Sequence, residues 1–220
     1  MVMNMTLKQK KEHAATVVQR FETEYPKAEC SLKADNAFQL LVSTRLSAQC
    51  TDARVNIVTP ALFKALPTPE AFANASVETV EKYIRSCGLY HTKAKDLVAL
   101  GKDLCERFDS NVPDNIEDLI SLPGIGRKTA NLIIGDIYNK PAVVADTHFI
   151  RICNRIGYLD TKDPKQVETV MRKLLPPEKS SDFCHRAVLH GRAVCTARSP
   201  KCDICCIKDL CKKIIRVPKK

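Results

Sequence analysis

The C-terminal part of the chain carries four cysteines with the spacing Cys-x6-Cys-x2-Cys-x5-Cys, namely Cys195, Cys202, Cys205 and Cys211. Four thiolates in one short stretch can surround a tetrahedral zinc ion or an iron–sulfur cluster. Either group fixes the path of the chain between its ligands, so this segment is predicted to fold as a loop around it. The spacing alone leaves the choice between zinc and a cluster open.

The other cysteines are scattered through apolar or helical sequence, which predicts buried free thiols; they are Cys30, Cys50, Cys87, Cys105, Cys153, Cys184 and Cys206. The odd total of 11 and the lack of a signal peptide favour a reducing compartment over a secreted disulfide framework. We therefore expect a cytoplasmic protein. No apolar run approaches the ~18 residues that span a membrane, so no membrane partner is expected.

The spacing of apolar residues predicts an all-α protein. There are only 7 glycines in 220 residues, and apolar residues recur at intervals of three and four, which predicts ten or eleven helices. The first helix is predicted over Leu7–Glu24. Later helix starts are indicated by capping residues: Thr51, Thr68 before Pro69, Ser76, Thr92, Asp114 with Glu117, Asp146 and Asp163 before Pro164.

The charge balance suggests a polyanionic partner. The chain has 35 Lys and Arg against 25 Asp and Glu, a formal net charge of +10 and a pI of about 9.1. Such an excess favours contact with nucleic acid. The alternative is a basic protein whose charge serves only solubility.

A glycine-containing turn between two helices is predicted within Leu122-Pro-Gly-Ile-Gly-Arg-Lys-Thr-Ala-Asn131. Gly124, Ile125 and Gly126 form a turn in which glycine can adopt positive φ and let the backbone approach a neighbour. The helix that follows presents its first N–H groups and its positive dipole end, which suit a phosphate. Short glycine patterns also occur in ordinary helix–helix turns, but the extended string is far less common.

Two ionisable residues near this turn are candidates for catalysis. Lys128 lies in the first turn of the following helix, and a neutral amine is a nucleophile; the alternative is a solvated lysine that pairs with phosphate. Asp146 follows eighteen residues later, in Val143-Val-Ala-Asp-Thr-His148. Capping is the ordinary role of such an aspartate, although a carboxylate can also move protons or stabilise an oxocarbenium-like sugar. We assign His148 to helix packing.

In their order along the chain, these features resemble the endonuclease III family of helix-hairpin-helix DNA glycosylases over nearly the whole length. The hairpin segment Leu122–Asn131, the acidic segment Val144–His148 and the cysteine spacing each match a family motif. Leu46-Ser-Ala-Gln49 and Gly88-Leu-Tyr90 resemble the family's segments that enter the DNA duplex.

The resemblance implies a fold of two helical lobes. Residues 29–141 would form a six-helix barrel with the helix-hairpin-helix motif, and residues 1–28 and 142–220 would form the cluster domain. The four cysteines would hold a 4Fe-4S cluster that organises the loop. The partner would be double-stranded DNA with damaged bases or abasic sites, bound by a monomer in the cytoplasm, at the nucleoid if the source is a bacterium.

The resemblance also implies a bifunctional enzyme of base excision repair. It would remove oxidised pyrimidines as an N-glycosylase and then cleave the strand by β-elimination as an AP lyase. Lys128 would attack C1′ and Asp146 would assist. Gln49 and Leu89 would fill the space left by the flipped nucleotide, and Arg198 and Lys201 would face phosphates, with charge added by Lys212, Lys213 and Arg216.

Several other functions are open from the sequence. An adenine-mismatch glycosylase shares the hairpin and cluster but lacks a lysine at the hairpin position. Pyrimidine-dimer and thymine-mismatch glycosylases differ in pocket residues that one sequence does not reveal. A noncatalytic helix-hairpin-helix protein would only bind DNA, and a metal-dependent nuclease would need a divalent ion. Zinc is the alternative to the cluster.

Overall fold

A computed structural model of the chain describes residues 4–215, so the tail residue Arg216 lies outside the described range. Across these residues there is no β-strand, and the all-α prediction is confirmed. Two short 3₁₀ turns, Pro177–Lys179 and Cys202–Ile204, accompany the helices. The eleven α-helices are α1 (Leu7–Glu24), α2 (Ala37–Ser47), α3 (Asp52–Ala65), α4 (Pro69–Asn74), α5 (Val77–Ile84), α6 (Tyr90–Phe108), α7 (Ile116–Ser121), α8 (Arg127–Asp136), α9 (Thr147–Ile156), α10 (Pro164–Leu174) and α11 (Ser180–Ala193).

Most of the predicted helix starts are confirmed, because side-chain caps act locally. The side chains of Thr51, Thr68 and Ser76 each accept a hydrogen bond from a backbone N–H in the first turn of α3, α4 and α5. Asp146 and Asp163 do the same for α9 and α10. These bonds satisfy donors that have no acceptor within the helix.

Two predicted helix starts are wrong. Helix α7 is capped by Asn115, whose side chain accepts from the N–H of Asp118 at 2.9 Å, and not by Asp114. Helix α6 begins at Tyr90 rather than after Thr92, with Leu89 as its N-cap at φ 59°. A leucine in the left-handed region has no local sequence signal, because this conformation is disfavoured for residues with a Cβ.

The described residues form two compact units, a central unit of residues 30–139 and a terminal unit of residues 4–29 and 140–215. The central unit contains α2 to α8. Its seven helices exceed the six that we expect for the barrel, and Ala75 and Ser76 separate two short ones, α4 and α5.

The core of the central unit is built around α6 and α8. Helix α6 packs on α4 and α5. A Cβ at Gly101 would come within 2.7 Å of the carbonyl oxygen of Pro69, so this glycine permits the close approach of α4 and α6. Helix α8 packs on α2 and α7 and buries Ala130, Ile133 and Ile134.

In the terminal unit, α1 packs on α10 and α11, and α9 packs on the same two helices. Phe183 lies at its centre, with ring centroids 5.1 Å from Phe21 and 5.9 Å from Phe149. Edge-on contacts of this kind add to the burial of the rings. No helix in residues 4–215 has both the length and the apolar character that crossing a membrane requires.

The prediction for the seven scattered cysteines is only partly correct. All are free thiols, but only Cys87, Cys153 and Cys184 are buried. The other four are partly exposed, because they lie at turns or helix edges where the apolar pattern does not decide burial; they are Cys30, Cys50, Cys105 and Cys206.

Candidate functional site

The predicted hairpin is present between α7 and α8. Gly124 has φ 72°, and the N–H of Ile125 donates to the carbonyl of Leu122 at 3.1 Å. Ile125 is buried, whereas both glycines are exposed. Gly126 is the N-cap of α8 and supplies no capping side chain. The first turn of this helix therefore suits an outside acceptor such as phosphate.

An ion pair supports the hairpin from within the central unit. Arg45 on α2 donates to Asp96 on α6 through Nε at 2.9 Å and also through Nη2. A Cβ at Gly124 would lie 2.6 Å from Nε of Arg45 and 2.9 Å from Oδ2 of Asp96. The glycine is therefore required by both the positive φ and the close approach of this pair.

Lys128 is exposed in the first turn of α8, two residues after Gly126. The amine lies near enough to Cys30 to act electrostatically on its thiol. Burial raises the pKa of Cys30 to about 11, and the positive charge of Lys128 opposes that rise. Lys128 therefore combines access from solvent with the phosphate-binding end of a helix.

Gln49 and Leu89 lie on two turns that touch each other in the central unit. Both are exposed and both have positive φ, 52° and 59° respectively. A Cβ at Gly88 would lie 3.0 Å from the carbonyl oxygen of Gln49, so the two turns are in van der Waals contact. The structure thus brings these two predicted DNA-entering residues together.

Asp146 caps α9 in the terminal unit, where its Oδ1 accepts from the N–H of Phe149 at 2.7 Å. Nδ1 of the neighbouring His148 accepts a hydrogen bond from Nη2 of Arg151 at 3.0 Å, and the ring lies against Gly191. Burial lowers the pKa of His148, and the nearby Asp146 carboxylate opposes this shift. The capping role of Asp146 is therefore observed.

All four predicted cysteine ligands line one open pocket in the terminal unit. Ile152, Ile156, Val194 and Ile207 form part of its apolar wall. Thiolate ligands beside an apolar wall are the surroundings in which a cluster is shielded from water.

Arg155 on α9 holds the first of these cysteines. Its Nη1 donates to the sulfur of Cys195 at 3.2 Å and to the carbonyl oxygen of Thr196 at 2.7 Å, and its Nη2 donates to the carbonyl of Ala197 at 2.8 Å. Arg151 donates through Nε to the carbonyl of Cys195 at 3.0 Å. Two arginines of α9 therefore fix the start of the cysteine loop.

His190 on α11 contacts a second cysteine. Its Nε2 lies 3.4 Å from the sulfur of Cys205, and its Nδ1 lies 3.0 Å from the hydroxyl of Tyr25. Hydrogen bonding from the Cys206 thiol, together with that from His190, lowers the pKa of Cys205 to about 4. A sulfur in this setting is suited to act as a thiolate ligand.

Four thiol groups beside one pocket match the donors that either a tetrahedral zinc ion or an iron–sulfur cluster takes.

Arg198 and Lys201 are exposed on the cysteine loop. The N–H of Lys201 donates to the carbonyl of Val194 at 2.9 Å, which anchors this part of the loop. Both positive side chains are therefore presented by a segment whose backbone is held.

The residues that support the site were not predicted from the sequence. Arg45, Asp96, Arg155 and His190 act through contacts distant in sequence, so no local pattern identified them. Lys93 did carry a signal, because it falls on the same face of α6 as buried leucines. Those leucines are Leu97, Leu100 and Leu104.

Comparisons with known proteins bear on the same regions. The sequence profile described as "HhH-GPD superfamily base excision DNA repair protein" matches residues 42–177. A second profile, "Iron-sulfur binding domain of endonuclease III", matches residues 195–211. This segment begins at the first of the four cysteines, Cys195, and ends at the last, Cys211.

Curated relatives match most of the chain. Endonuclease III of Synechocystis sp. is 41% identical over 92% of this chain and 93% of its own length. Endonuclease III of Escherichia coli is 38% identical over 89% of this chain and 93% of its own length.

A solved structure described as a non-covalent endonuclease III–DNA complex has a TM-score of 0.85 and 37% identity, covering 95% of this chain and 96% of the other. A trapped covalent endonuclease III–DNA intermediate also has a TM-score of 0.85 and 37% identity, with coverage of 95% and 97%. The hairpin, the cysteine loop and these matches agree. The chain therefore belongs to the endonuclease III family of the HhH-GPD superfamily of base excision DNA repair proteins.

Proposed function

We propose that the protein is a base excision repair N-glycosylase for oxidised pyrimidines with AP lyase activity, and that Lys128 is its nucleophile. The observation that carries the proposal is the place of this exposed amine, in the first turn of α8 and two residues after Gly126. A phosphate bound at that helix end would bring a deoxyribose within reach of the amine.

The proposed reaction begins when the damaged nucleotide leaves the base stack, which weak stacking makes less costly. Nζ of Lys128 attacks C1′, the bond to the base breaks, and the base leaves with the bonding electrons and a proton. Ring opening gives a Schiff base, which makes the 2′ proton acidic. Removal of that proton expels the 3′ phosphate by β-elimination.

We assign Asp146 the role of assisting proton transfer and of stabilising positive charge on the sugar. The carboxylate would use the oxygen that does not cap α9. Gly124, Ile125 and Gly126 would hold the phosphate backbone, while Arg198 and Lys201 would add phosphate contacts.

The protein carries a 4Fe-4S cluster, and we propose Cys195, Cys202, Cys205 and Cys211 as its ligands. When bound, such a cluster would tie the four cysteines together through iron–sulfur bonds and so fix the fold of the loop between them. The central unit would be the helix-hairpin-helix domain, and the terminal unit would be the cluster domain. We further propose a monomer that acts on damaged duplex DNA in the cytoplasm, which size-exclusion chromatography and cell fractionation would check.

Borohydride trapping tests the lyase assignment. Wild-type protein incubated with an abasic-site duplex and sodium borohydride should form a stable covalent adduct, because borohydride reduces the Schiff base. Lys128→Gln should abolish the adduct but retain duplex binding. Lys102→Gln, which changes an exposed lysine on α6, is the matched control and should trap normally.

Three outcomes would favour the alternatives. Wild-type protein that binds the duplex but forms no adduct would indicate a noncatalytic DNA-binding protein. Incision that EDTA abolishes would indicate a metal-dependent nuclease. Duplexes with single lesions would show whether a pyrimidine dimer or a mismatched base is excised in preference to an oxidised pyrimidine.

A further inference from the structure

The turns that carry Gln49 and Leu89 need support from the rest of the central unit. Each residue has positive φ, a conformation that costs about 1–2 kcal/mol for a residue with a Cβ. Each is also exposed, so its own side chain contributes little packing. Such conformations persist only where the surroundings hold them.

Lys93 contacts the supports of both turns. Its Nζ donates to the carbonyl oxygen of Leu46 at 2.7 Å, in the last turn of α2 and three residues before Gln49. Its backbone N–H donates to the carbonyl oxygen of Leu89 at 3.1 Å. One residue therefore connects the end of α2 to the start of α6.

The position of the amine suits the end of α2 electrostatically. Carbonyl groups in the last turn of a helix accept no hydrogen bond from an N–H of the same helix. They also lie at the negative end of the helix dipole. A lysine amine that donates to one of them satisfies the carbonyl and complements the dipole. The α2 helix then ends at a defined place, which fixes where Gln49 begins its turn.

Burial of this amine is costly. The side chain is fully buried, at 0% exposure, and burial lowers the pKa of Lys93. Cys87 and Cys50 oppose this shift of the pKa, whereas the charge of Arg45 reinforces it. An apolar residue of similar length would avoid both costs, so stability alone does not account for a lysine at this position.

We propose that Lys93 is a positioning residue that holds the Gln49 turn against the Leu89 turn, so that both side chains enter the damaged duplex together. The inference rests on the proposed function and adds to it a residue that does not touch DNA. Side chains that insert into a duplex act best when supporting residues hold them in place beforehand. Loss of the amine should therefore weaken base extrusion rather than the chemistry at the sugar.

The test compares two substrates. Lys93→Met keeps the length of the side chain and removes the donor, and Lys95→Met on the exposed side of α6 is its matched control. Single-turnover excision of an oxidised pyrimidine from duplex DNA measures the complete reaction. Borohydride trapping on a single-stranded abasic oligonucleotide measures Schiff-base formation alone. This substrate has no opposite base and no duplex for Gln49 and Leu89 to enter.

We expect Lys93→Met to slow duplex excision by about tenfold or more, which corresponds to the loss of one hydrogen bond from a charged donor, about 1.4 kcal/mol. Trapping on the single strand should stay within about twofold of wild type. Fluorescence of 2-aminopurine opposite the lesion should rise less than with wild type, since the base is less unstacked. Lys93→Arg, which retains donors and charge, should recover part of the duplex rate.

Gly88→Ala provides an independent perturbation if Lys93→Met does not fold by circular dichroism. Its Cβ would press on the carbonyl of Gln49 at 3.0 Å while Lys93 stays in place. The same duplex-selective loss is expected. Equal losses on both substrates, or no loss on either in a folded variant, would overturn the positioning role. Absence of any adduct with wild type would instead overturn the lyase assignment, so the two failures are distinct.

Discussion

Arg45 and Asp96 form a partly buried ion pair that joins α2 to α6 directly beside Gly124 of the hairpin. The pair leaves no room for a Cβ at that glycine, whose φ of 72° also disfavours any other residue. The hairpin turn is thus fixed by a contact with helices that do not belong to the motif.

Gly124→Ala should therefore destabilise the protein and weaken DNA binding. The positive φ costs an alanine about 1 kcal/mol, and displacement of Arg45 adds to this, so we expect a loss of about 2–3 kcal/mol in urea unfolding. Gly126→Ala is the control, because a Cβ there meets no atom within 4 Å. That variant should lose no more than about 1 kcal/mol, from the poorer N-cap, while duplex affinity falls because the Cβ obstructs the phosphate. Equal stability losses for the two variants would contradict this account.

Asp146→Asn should separate capping from chemistry. Asparagine caps a helix as well as aspartate does, so the melting temperature should change little. Without the carboxylate, single-turnover excision should fall by about 100-fold or more. Asp163→Asn, which alters the cap of α10 in the same unit, should retain both stability and activity. An active Asp146→Asn enzyme would restrict Asp146 to its capping role.

Arg155→Met should reduce cluster content. The substitution removes the donors to Cys195, Thr196 and Ala197. The acceptors of Cys195 and Thr196 are partly buried, so their loss of a donor should cost about 1–3 kcal/mol each. Iron per protein and the absorbance near ~400 nm from iron–thiolate ligation should both fall. Lys179→Met, which breaks a partly exposed ion pair with Glu22 in the same unit, should cost less than about 1 kcal/mol and leave the iron content unchanged. Full iron content in Arg155→Met would show that the cysteines alone define the loop.

The low pKa of His148 predicts a pH dependence of stability. Burial favours the neutral ring in the folded state, so the unfolded chain binds a proton first as the pH falls below the ordinary histidine value of 6.5. The contribution of His148 to stability is therefore complete above pH 6.5 and declines as the pH is lowered through that value toward the folded-state pKa. Asp146 opposes this shift, whereas Arg151 and Arg192 reinforce it.

Urea unfolding of wild type and His148→Asn between pH 7.5 and 5 should detect the effect. The variant should show a shallower loss of stability on acidification. A direct NMR titration should place the transition of His148 below 6.5. Parallel stability curves for the two proteins would contradict the assignment of the pH dependence to this ring.

Features that depend on neighbouring residues were predictable from the sequence. The helix starts at Thr51, Thr68, Ser76, Asp146 and Asp163 are confirmed, because a capping side chain bonds to an N–H only two or three residues away. The start of α6 was not predicted, since its N-cap Leu89 is held by contacts with the turn of Gln49.

The sequence by itself determined the helical class, the hairpin, the spacing of the thiols and the family, because each depends on residues that lie close together along the chain. Tertiary structure alone decided what supports these parts. Lys93 and Leu46 are 47 residues apart, Arg45 and Asp96 are 51 apart, and Arg155 and Cys195 are 40 apart. A buried polar group needs a partner of matching chemistry at hydrogen-bond distance, and only the packing of distant helices determines which residue that partner is.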